Sequence, residues 1–121
     1  MNEITLNGTV YVPKEEAQAQ AMAVSTDGLE YCIIRTYSAG VHAGYVKSRN
    51  GKEVELVNAR RIWYWKGAFT LSELATVGTK CPDECKFSCE ISHITLTEAI
   101  EIIPCTENAK NSLMGVKNYE C

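Results

Sequence analysis

Residues 60–66 bring together the side chains of this chain that are best suited to hold a ligand. They include two arginines, a tyrosine, a lysine and both tryptophans of the chain. Indole rings stack on nucleobases, and guanidinium groups form paired hydrogen bonds with phosphate oxygens. If these residues form a regular strand, Arg61, Trp63 and Trp65 share one face, while Arg60 and Tyr64 lie on the other. The pattern predicts a face that binds a nucleotide.

A plainer interpretation of the same residues stays open. Aromatic residues in strands usually pack in a core, and the arginines beside them are often solvated. In that case one tryptophan is buried, and the arginines are solvated or pair with Glu53 and Glu55.

Small residues around His42 indicate a second contribution to such a site. Gly40 and Gly44 flank Val41-His42-Ala43, where backbone N–H groups could approach a phosphate. A bend between strands explains the glycines equally well, and the segment matches no Walker or dinucleotide fingerprint. The candidate ligand-binding residues are Arg35, Tyr37, His42, Arg60, Arg61, Trp63, Trp65 and Lys66.

Three cysteines and a histidine recur at four-residue steps, which raises the question of zinc. Cys81, Cys85, Cys89 and His93 have side chains that bind this metal. The spacing differs from the two-residue separation of a zinc knuckle, and Pro82 disfavours the helix that would align the four side chains. Free thiols are the favoured interpretation, so no metal and no other cofactor is expected.

A catalytic role has little support in the sequence. Cys32, Cys105 and His42 could supply a thiol and a base, but no motif orients them and Cys32 lies in an apolar run. Ser38 sits outside any Gly-x-Ser-x-Gly elbow, and no pair of carboxylates stands out. The expectation is a protein that is not an enzyme.

Alternating hydrophobicity and turn residues predict strands through the first half of the chain. Asn7-Gly8 and Asn50-Gly51 lie between apolar runs, where such pairs favour tight hairpin turns. Asn58 permits a bulge or a turn between two strands. The predicted elements are a hairpin over residues 3–12, a short helix over 14–24, and strands over 29–36, 41–48, 54–57 and 60–65.

The second half is predicted to add helices and a long apolar segment. Thr70 and Glu73 form a capping box, with Phe69 placed to pack on Leu74, and Thr106 is the N-cap of a C-terminal helix. The predicted elements are a helix over residues 71–76, an irregular segment over 81–88, one strand or two over 90–103 with a bulge near Thr97 and Glu98, a helix over 107–114, and a loose tail.

These elements amount to roughly five to seven strands and about two or three short helices. Consecutive hairpins favour antiparallel pairing. The predicted fold is α+β and mainly β, either a small antiparallel sheet or a half-open barrel. The length predicts a single domain, residues 1–121, made of an N-terminal hairpin and helix (1–28), central strands (29–66) and a C-terminal part (67–121).

Charge and hydropathy exclude several classes of protein. The formal net charge is −3, so binding of generic nucleic acid is not expected. No apolar run reaches the roughly 20 residues of a membrane span. The start, Met1-Asn2-Glu3-Ile4, has no features of a secretory signal, so we expect a cytoplasmic protein with reduced thiols.

Two motifs resemble those of a family of small proteins encoded by phages and prophages. The first pairs Arg35-Thr36-Tyr37-Ser38-Ala39-Gly40-Val41-His42 with Asn58-Ala59-Arg60-Arg61-Ile62-Trp63-Tyr64-Trp65, and the second is Glu98-Ala99-Ile100-Glu101-Ile102-Ile103-Pro104-Cys105-Thr106. The similarity covers about residues 30–110. It implies a phage origin and a host-cell cytoplasm, but the family has no assigned function and therefore implies no chemistry.

Together these features favour a non-enzymatic phage accessory protein that binds its target stoichiometrically. The leading hypothesis is counter-defence by sequestering a host nucleotide second messenger, such as a cyclic nucleotide, in a homo-oligomer whose subunit interfaces complete the pocket. The alternative is a protein–protein interaction module, either an inhibitor of a host defence protein or a phage structural accessory, because Trp, Tyr and Arg are frequent interface anchors. The expected partners are a nucleotide or a host protein, and no membrane.

Overall fold

The computed structural model describes residues 22–23 and 28–119, which form an antiparallel sheet with helices packed on it. The predicted N-terminal hairpin and most of the first predicted helix lie outside these residues. None of the described helices is long and apolar enough to span a membrane. The strands are β1 (Tyr31–Thr36), β2 (Val41–Asn50), β3 (Glu53–Tyr64), β4 (Lys86–Phe87), β5 (Ile91–Leu96) and β6 (Ala99–Pro104). The helices are α1 (Leu71–Val77), α2 (Glu107–Met114) and a 3-10 helix, Pro82–Glu84.

The sheet is assembled on β3, its longest strand. The strands pair in the order β4–β3–β2–β1–β6, and β5 also pairs with β3. β2 occupies one edge of β3. The other edge is shared by β5, where Val54 lies opposite Leu96, and by β4, where Ile62 lies opposite Phe87.

The sheet is curled, because the strands at its two edges, β5 and β6, follow each other directly in the chain. Only Thr97 and Glu98 separate β5 from β6, yet β5 pairs with β3 and β6 pairs with β1. The tip of the β2–β3 hairpin bends over as well, since Ala99 N donates to Lys52 O at 3.0 Å. The antiparallel, mainly β fold is confirmed. Among the described strands β5 and β6 do not pair, so the sheet stays open and no barrel closes.

Each face of the sheet buries its own hydrophobic core. The helical core lies between the sheet and the helices, and its largest fully buried members are Tyr31, Phe87, Ile33, Leu74 and Leu113. The inner core lies within the curl and contains Cys32, Ile34, Val54, Leu56, Ala59 and Leu96. Strand β1 therefore contributes alternate side chains to two cores, which explains its continuous apolar run.

A bulge at Asn58 sets which side chains of β3 face each core. Asn58 and Ala59 together lie opposite Gly44, and Asn58 has a φ of 52°. Before the bulge Leu56 faces the inner core, and beyond it Ile62 faces the helical core. The predicted bulge is confirmed, but the segments on either side of it form one strand and not two.

The β2–β3 turn lies one residue beyond its predicted centre. Asn50 pairs with Glu53, so the two turn residues are Gly51 and Lys52. Gly51 has a φ of 62°, whereas Lys52 is outside the left-handed region. This is the pattern of a type II′ turn, in which glycine takes the first position.

Both α-helices begin at their predicted caps. Each N-cap threonine, Thr70 and Thr106, accepts a hydrogen bond at 3.1 Å from the backbone N–H three residues further on. The Glu73 carboxylate reaches back to accept from Phe69 N at 2.9 Å. The predicted packing of Phe69 on Leu74 is wrong, because the Phe69 side chain is 91 % exposed while Leu74 is fully buried.

Residues 90–103 form the two-strand alternative, β5 and β6, which separate at Thr97 and Glu98 and pair with different neighbours. The expected loose tail needs correction. The tail is not loose as far as residue 119, because Val116 is buried in the helical core and Tyr119 N donates to Phe87 O at 2.8 Å. The tail therefore lies along β4.

Substitution of Gly44 tests the close approach of β2 to the bulge. A Cβ at this position would lie 2.9 Å from Ala59 Cβ and 3.0 Å from Ala59 Cα. We expect Gly44→Ala to lower the free energy of unfolding, measured by urea denaturation, by about 1–3 kcal/mol, because the backbone of β3 must shift. Gly115→Ala is the control, since its φ is −79° and its nearest contact would be 3.5 Å. Equal losses in both variants would contradict the steric explanation.

Candidate functional site

The bulge at Asn58 also decides which residues at the end of β3 face solvent. Beyond it Arg60 and Ile62 lie toward the helical core, so Arg61 and Trp63 fall on the opposite face. Arg61 is exposed, and the Trp63 side chain is 69 % exposed. These two side chains and the hollows beside them form what we term the Arg61–Trp63 surface.

Two open hollows flank the Arg61–Trp63 surface. One, of about 330 Å³, lies against the turn between β1 and β2 and is lined by Ser38 and Trp65. The other, of about 300 Å³, opens toward β4 and the tail and is lined by Ser88 and Tyr119. The structure thus brings both tryptophans together with Arg61, although Trp65 lies beyond the end of β3 and is partly buried.

The Arg61 guanidinium is an available cation on this surface. The Arg61 backbone N–H donates to Ser88 Oγ at 2.8 Å, which holds the strand in place. Its guanidinium makes no hydrogen bond or ion pair with the residues that the structure describes, and Glu55 instead pairs with His93. Unused guanidinium donors beside an exposed indole are suited to an anion that carries a planar group.

A second cation, Lys86, lies among three aromatic rings at the same edge of the sheet. Its Nζ is 5.0 Å from the ring centre of Tyr119, 5.7 Å from that of Trp63 and 5.9 Å from that of Tyr64. The Trp63 and Tyr119 rings meet edge to face with their centres 5.7 Å apart. Cation–π attraction therefore holds Lys86 beside Trp63.

Arg60, by contrast, is engaged throughout by the protein itself. Its side chain is 6 % exposed. Nε donates to Ser88 O at 2.8 Å, Nη1 to Leu113 O at 3.1 Å and Nη2 to Asn118 Oδ1 at 3.1 Å. The guanidinium also lies 5.0 Å from the ring centre of Phe87. With its three nitrogens bonded, Arg60 has a structural role.

His42 is buried next to Arg61 on the neighbouring strand. The two residues are direct partners in the β2–β3 ladder, and the His42 side chain is 2 % exposed. His42 Nε2 lies 2.9 Å from Ala39 O, and because a carbonyl oxygen only accepts, Nε2 carries the hydrogen and donates. Burial lowers the pKa of His42, and the charge of Arg61 lowers it further, so the imidazole is neutral at pH 7.

Three of the predicted ligand-binding residues lie away from this surface. Arg35 Nε pairs with Glu101 at 2.8 Å, and Lys66 Nζ pairs with Glu84 at 3.0 Å. Tyr37 is exposed in the turn that follows β1 and lines neither hollow. The structure therefore does not bring Arg35, Tyr37 and Lys66 together with Arg61 and Trp63.

The five cysteines that the structure describes are free thiols. Burial raises the pKa of both Cys32 and Cys105 to about 12, so these thiols are poor nucleophiles at neutral pH. Cys85 is buried, and His93 Nε2 lies 3.1 Å from Glu55 Oε2. Across residues 22–23 and 28–119, no group of three or more His, Cys, Asp and Glu side chains is placed to hold a metal ion.

Two residues of this surface, Lys86 and Tyr119, are not identifiable from sequence patterns. Lys86-Phe87 alternates polar and apolar side chains, which is the only strand signal there and is too short to be used. β4 exists because it pairs with the end of β3, and Tyr119 is placed by its bond to Phe87. Both positions depend on contacts far apart in the chain.

Substituting the two adjacent arginines separately tests their different roles. Arg60→Met removes the hydrogen bonds from a buried side chain to Ser88 O, Leu113 O and Asn118 Oδ1, so we expect it to lower the free energy of unfolding by about 3 kcal/mol in urea denaturation. Arg61→Met is the matched control and should change stability by less than about 0.5 kcal/mol, because Arg61 is exposed. A loss of equal size in both variants would contradict this division of roles.

The burial of neutral His42 predicts a loss of stability in mild acid. The unfolded chain binds a proton on His42 as the pH falls through 6.5, whereas the folded protein, with its lower pKa, does not. The free energy of unfolding should therefore fall from about pH 7 to about pH 5, as measured by denaturation at each pH. The fall should be smaller in His42→Gln and should persist in His93→Gln, and an unchanged pH profile in His42→Gln would contradict the assignment.

Comparison with known proteins assigns the chain to a family. No curated protein and no solved structure matches the chain at a significant level. A family model described as a domain of unknown function (DUF6948) matches residues 29–113. The matched segment contains all six strands, α1 and nearly all of α2. The chain therefore belongs to the DUF6948 family.

Proposed function

We propose that this protein binds a nucleotide stoichiometrically at the Arg61–Trp63 surface and does not convert it chemically. The observation that carries the proposal is an uncommitted guanidinium beside an indole that is 69 % exposed. Arg61 would hold phosphate oxygens, and Trp63 would stack on the base. The hollow beside Trp65 gives the ligand a second aromatic wall.

The distribution of charge favours a small anion over a long one. The protein has a net charge of −3, yet Arg61 and Lys86 both lie beside Trp63 without a carboxylate partner among the described residues. Overall negative charge repels an extended nucleic acid, whereas two neighbouring cations attract a compact phosphate within a Debye length. A nucleotide fits this balance better than DNA or RNA.

The chemical groups around the surface support binding and not catalysis. Ser38 Oγ donates to Glu98 Oε1 at 2.6 Å, and Ser88 Oγ donates to Cys89 O at 3.1 Å, so both hydroxyl groups are used to hold loops. His42 is neutral and its Nε2–H is bonded to Ala39 O. These engagements leave the surface with stacking faces and cations as its main ligand contacts.

The resemblance to phage proteins suggests a biological role for this binding. In a phage protein that acts in the host cytoplasm, stoichiometric capture of a nucleotide second messenger would lower its free concentration and blunt a host defence. Both hollows are open, so a second copy of the chain would be needed to enclose a ligand fully. Sequestration by a homo-oligomer follows from this proposal.

Phe69 favours a second candidate function, a protein–protein interaction module. Its side chain is 91 % exposed in the loop before α1, apart from the Arg61–Trp63 surface. Phenylalanine is among the aromatic residues that are enriched at protein–protein interfaces. Under this alternative the partner is a host defence protein that the chain inhibits, or a phage structural protein.

The leading proposal is tested by isothermal titration calorimetry and native mass spectrometry. The ligands are AMP, GMP, cyclic di-AMP, cyclic di-GMP and cyclic tri-AMP. We expect one or more of these nucleotides to bind. Trp63→Ala should weaken binding about 5- to 150-fold through loss of stacking, and Arg61→Met should weaken it similarly.

Two surface variants control for the loss of an exposed ring or charge. Phe69→Ala and Arg35→Met should bind the nucleotide as the unaltered protein does, because both lie off the Arg61–Trp63 surface. No binding by any of the five nucleotides, or binding that both Trp63→Ala and Arg61→Met retain, would overturn the proposal. A host protein whose capture is lost in Phe69→Ala but not in Trp63→Ala would instead support the second candidate.

A further inference from the structure

A third cavity lies beside the Arg61–Trp63 surface, where His42 pairs with Arg61 in the β2–β3 ladder. It measures about 270 Å³, and its lining includes His42, Ala59, Arg61, Ser88, Ile91 and Ile94. Arg61 thus borders this cavity as well as both hollows described above. A ligand bound to Arg61 can therefore extend a group into it.

Small residues and a break in the sheet create this space. Gly44 and Ala59 face each other at the bulge, and neither can fill the inner side of the curl. Beyond Ser88, whose N donates to Arg61 O at 3.0 Å, the ladder along this edge of β3 is interrupted until Ile91, which pairs with Ala59. Ile91, which is 44 % exposed, forms its rim.

His42 supplies an unused hydrogen-bond acceptor to the lining of this cavity. Its Nε2 donates to Ala39 O, so in the neutral ring Nδ1 carries a lone pair. Nδ1 has no partner among the described residues. Apart from the Arg61 guanidinium, the other polar side chains of the lining are engaged: Arg60 uses its three nitrogens, and Ser88 Oγ both accepts from Arg61 N and donates to Cys89 O. A buried acceptor without a donor costs about 1–3 kcal/mol, which a ligand N–H would recover.

We propose that this cavity holds the edge of one nucleobase, with a base N–H donating to His42 Nδ1 while Arg61 binds the attached phosphate. The inference rests on the proposed nucleotide binding and adds how one base is held. Adenine, guanine, cytosine and uracil all carry N–H donors, whereas the lone pair of Nδ1 rejects a base that has none. The volume lies below the roughly 300–1,000 Å³ typical of pockets for drug-sized ligands, so it admits one base.

Together the surfaces predict a two-part site for a ligand with two bases. One base stacks on exposed Trp63, the other enters the cavity, and the phosphates lie at Arg61 between them. A mononucleotide can satisfy only one of the two parts. A dinucleotide should accordingly bind more tightly than AMP or GMP by about tenfold or more, since each stacked base contributes about 1–3 kcal/mol.

The first test compares nucleotides with and without a base N–H. Purine ribonucleoside 5′-monophosphate carries no N–H donor on its base and should bind at least about tenfold more weakly than AMP or GMP in calorimetry. In protein labelled with ¹⁵N, the His42 Nδ1 resonance should shift when AMP or GMP binds. Equal affinities together with an unmoved Nδ1 resonance would overturn the inference and leave the cavity to water.

The second test fills the cavity from its rim, which avoids disturbing a core residue. Ile91→Trp should weaken binding of the tightest of AMP, GMP, cyclic di-AMP and cyclic di-GMP at least about tenfold. Ile100→Trp is the matched control, because Ile100 is similarly exposed on β6 and lines none of the three cavities. Binding that is lost in Trp63→Ala but kept in Ile91→Trp would overturn this inference alone. A protein that binds none of these four nucleotides and no cyclic tri-AMP would overturn the proposed function and the inference together.

Discussion

The buried guanidinium of Arg60 joins parts of the chain that lie far apart in the sequence. From β3 it bonds to the carbonyl after β4, to a carbonyl in the last turn of α2 and to the tail at Asn118. A buried cation is costly unless its donors are bonded, and the C-terminal end of a helix supplies partial negative charge. Because this one side chain positions β4 and the tail, the Arg61–Trp63 surface depends on a residue that does not belong to it.

Local signals in the sequence are sufficient for most of the elements but not for their partners. Thr70 and Thr106 cap helices because a hydroxyl group before a helix accepts a hydrogen bond from a free backbone N–H of the first turn. Asn58 tolerates the left-handed backbone conformation of the bulge. The pairing of β6 with β1 follows from no such signal. It arises because the curl of the sheet and the enclosure of the inner core bring these two strands side by side.

The candidate site divides in the same way. Alternation along β3 correctly separates Arg60 from Arg61, since any regular strand sends neighbours to opposite faces. It cannot say which of the two is buried, because that depends on where the helices pack and on the frame shift at the bulge. Lys86 and Tyr119 reach the surface only through long-range pairing, so no pattern within their own segments marks them.

The pairing of β1 with β6 has a consequence for how the molecule is made. Arg35 and Glu101, which meet across this pair, are 66 positions apart. Contacts between residues so far apart in the sequence slow folding, because the entropy of closing a long loop is lost before the contact forms. Until β6 leaves the ribosome, Ile33 and Ile34 lie on an unprotected strand edge of the kind that aggregates. The sheet can therefore be completed only after nearly the whole matched domain has been synthesised.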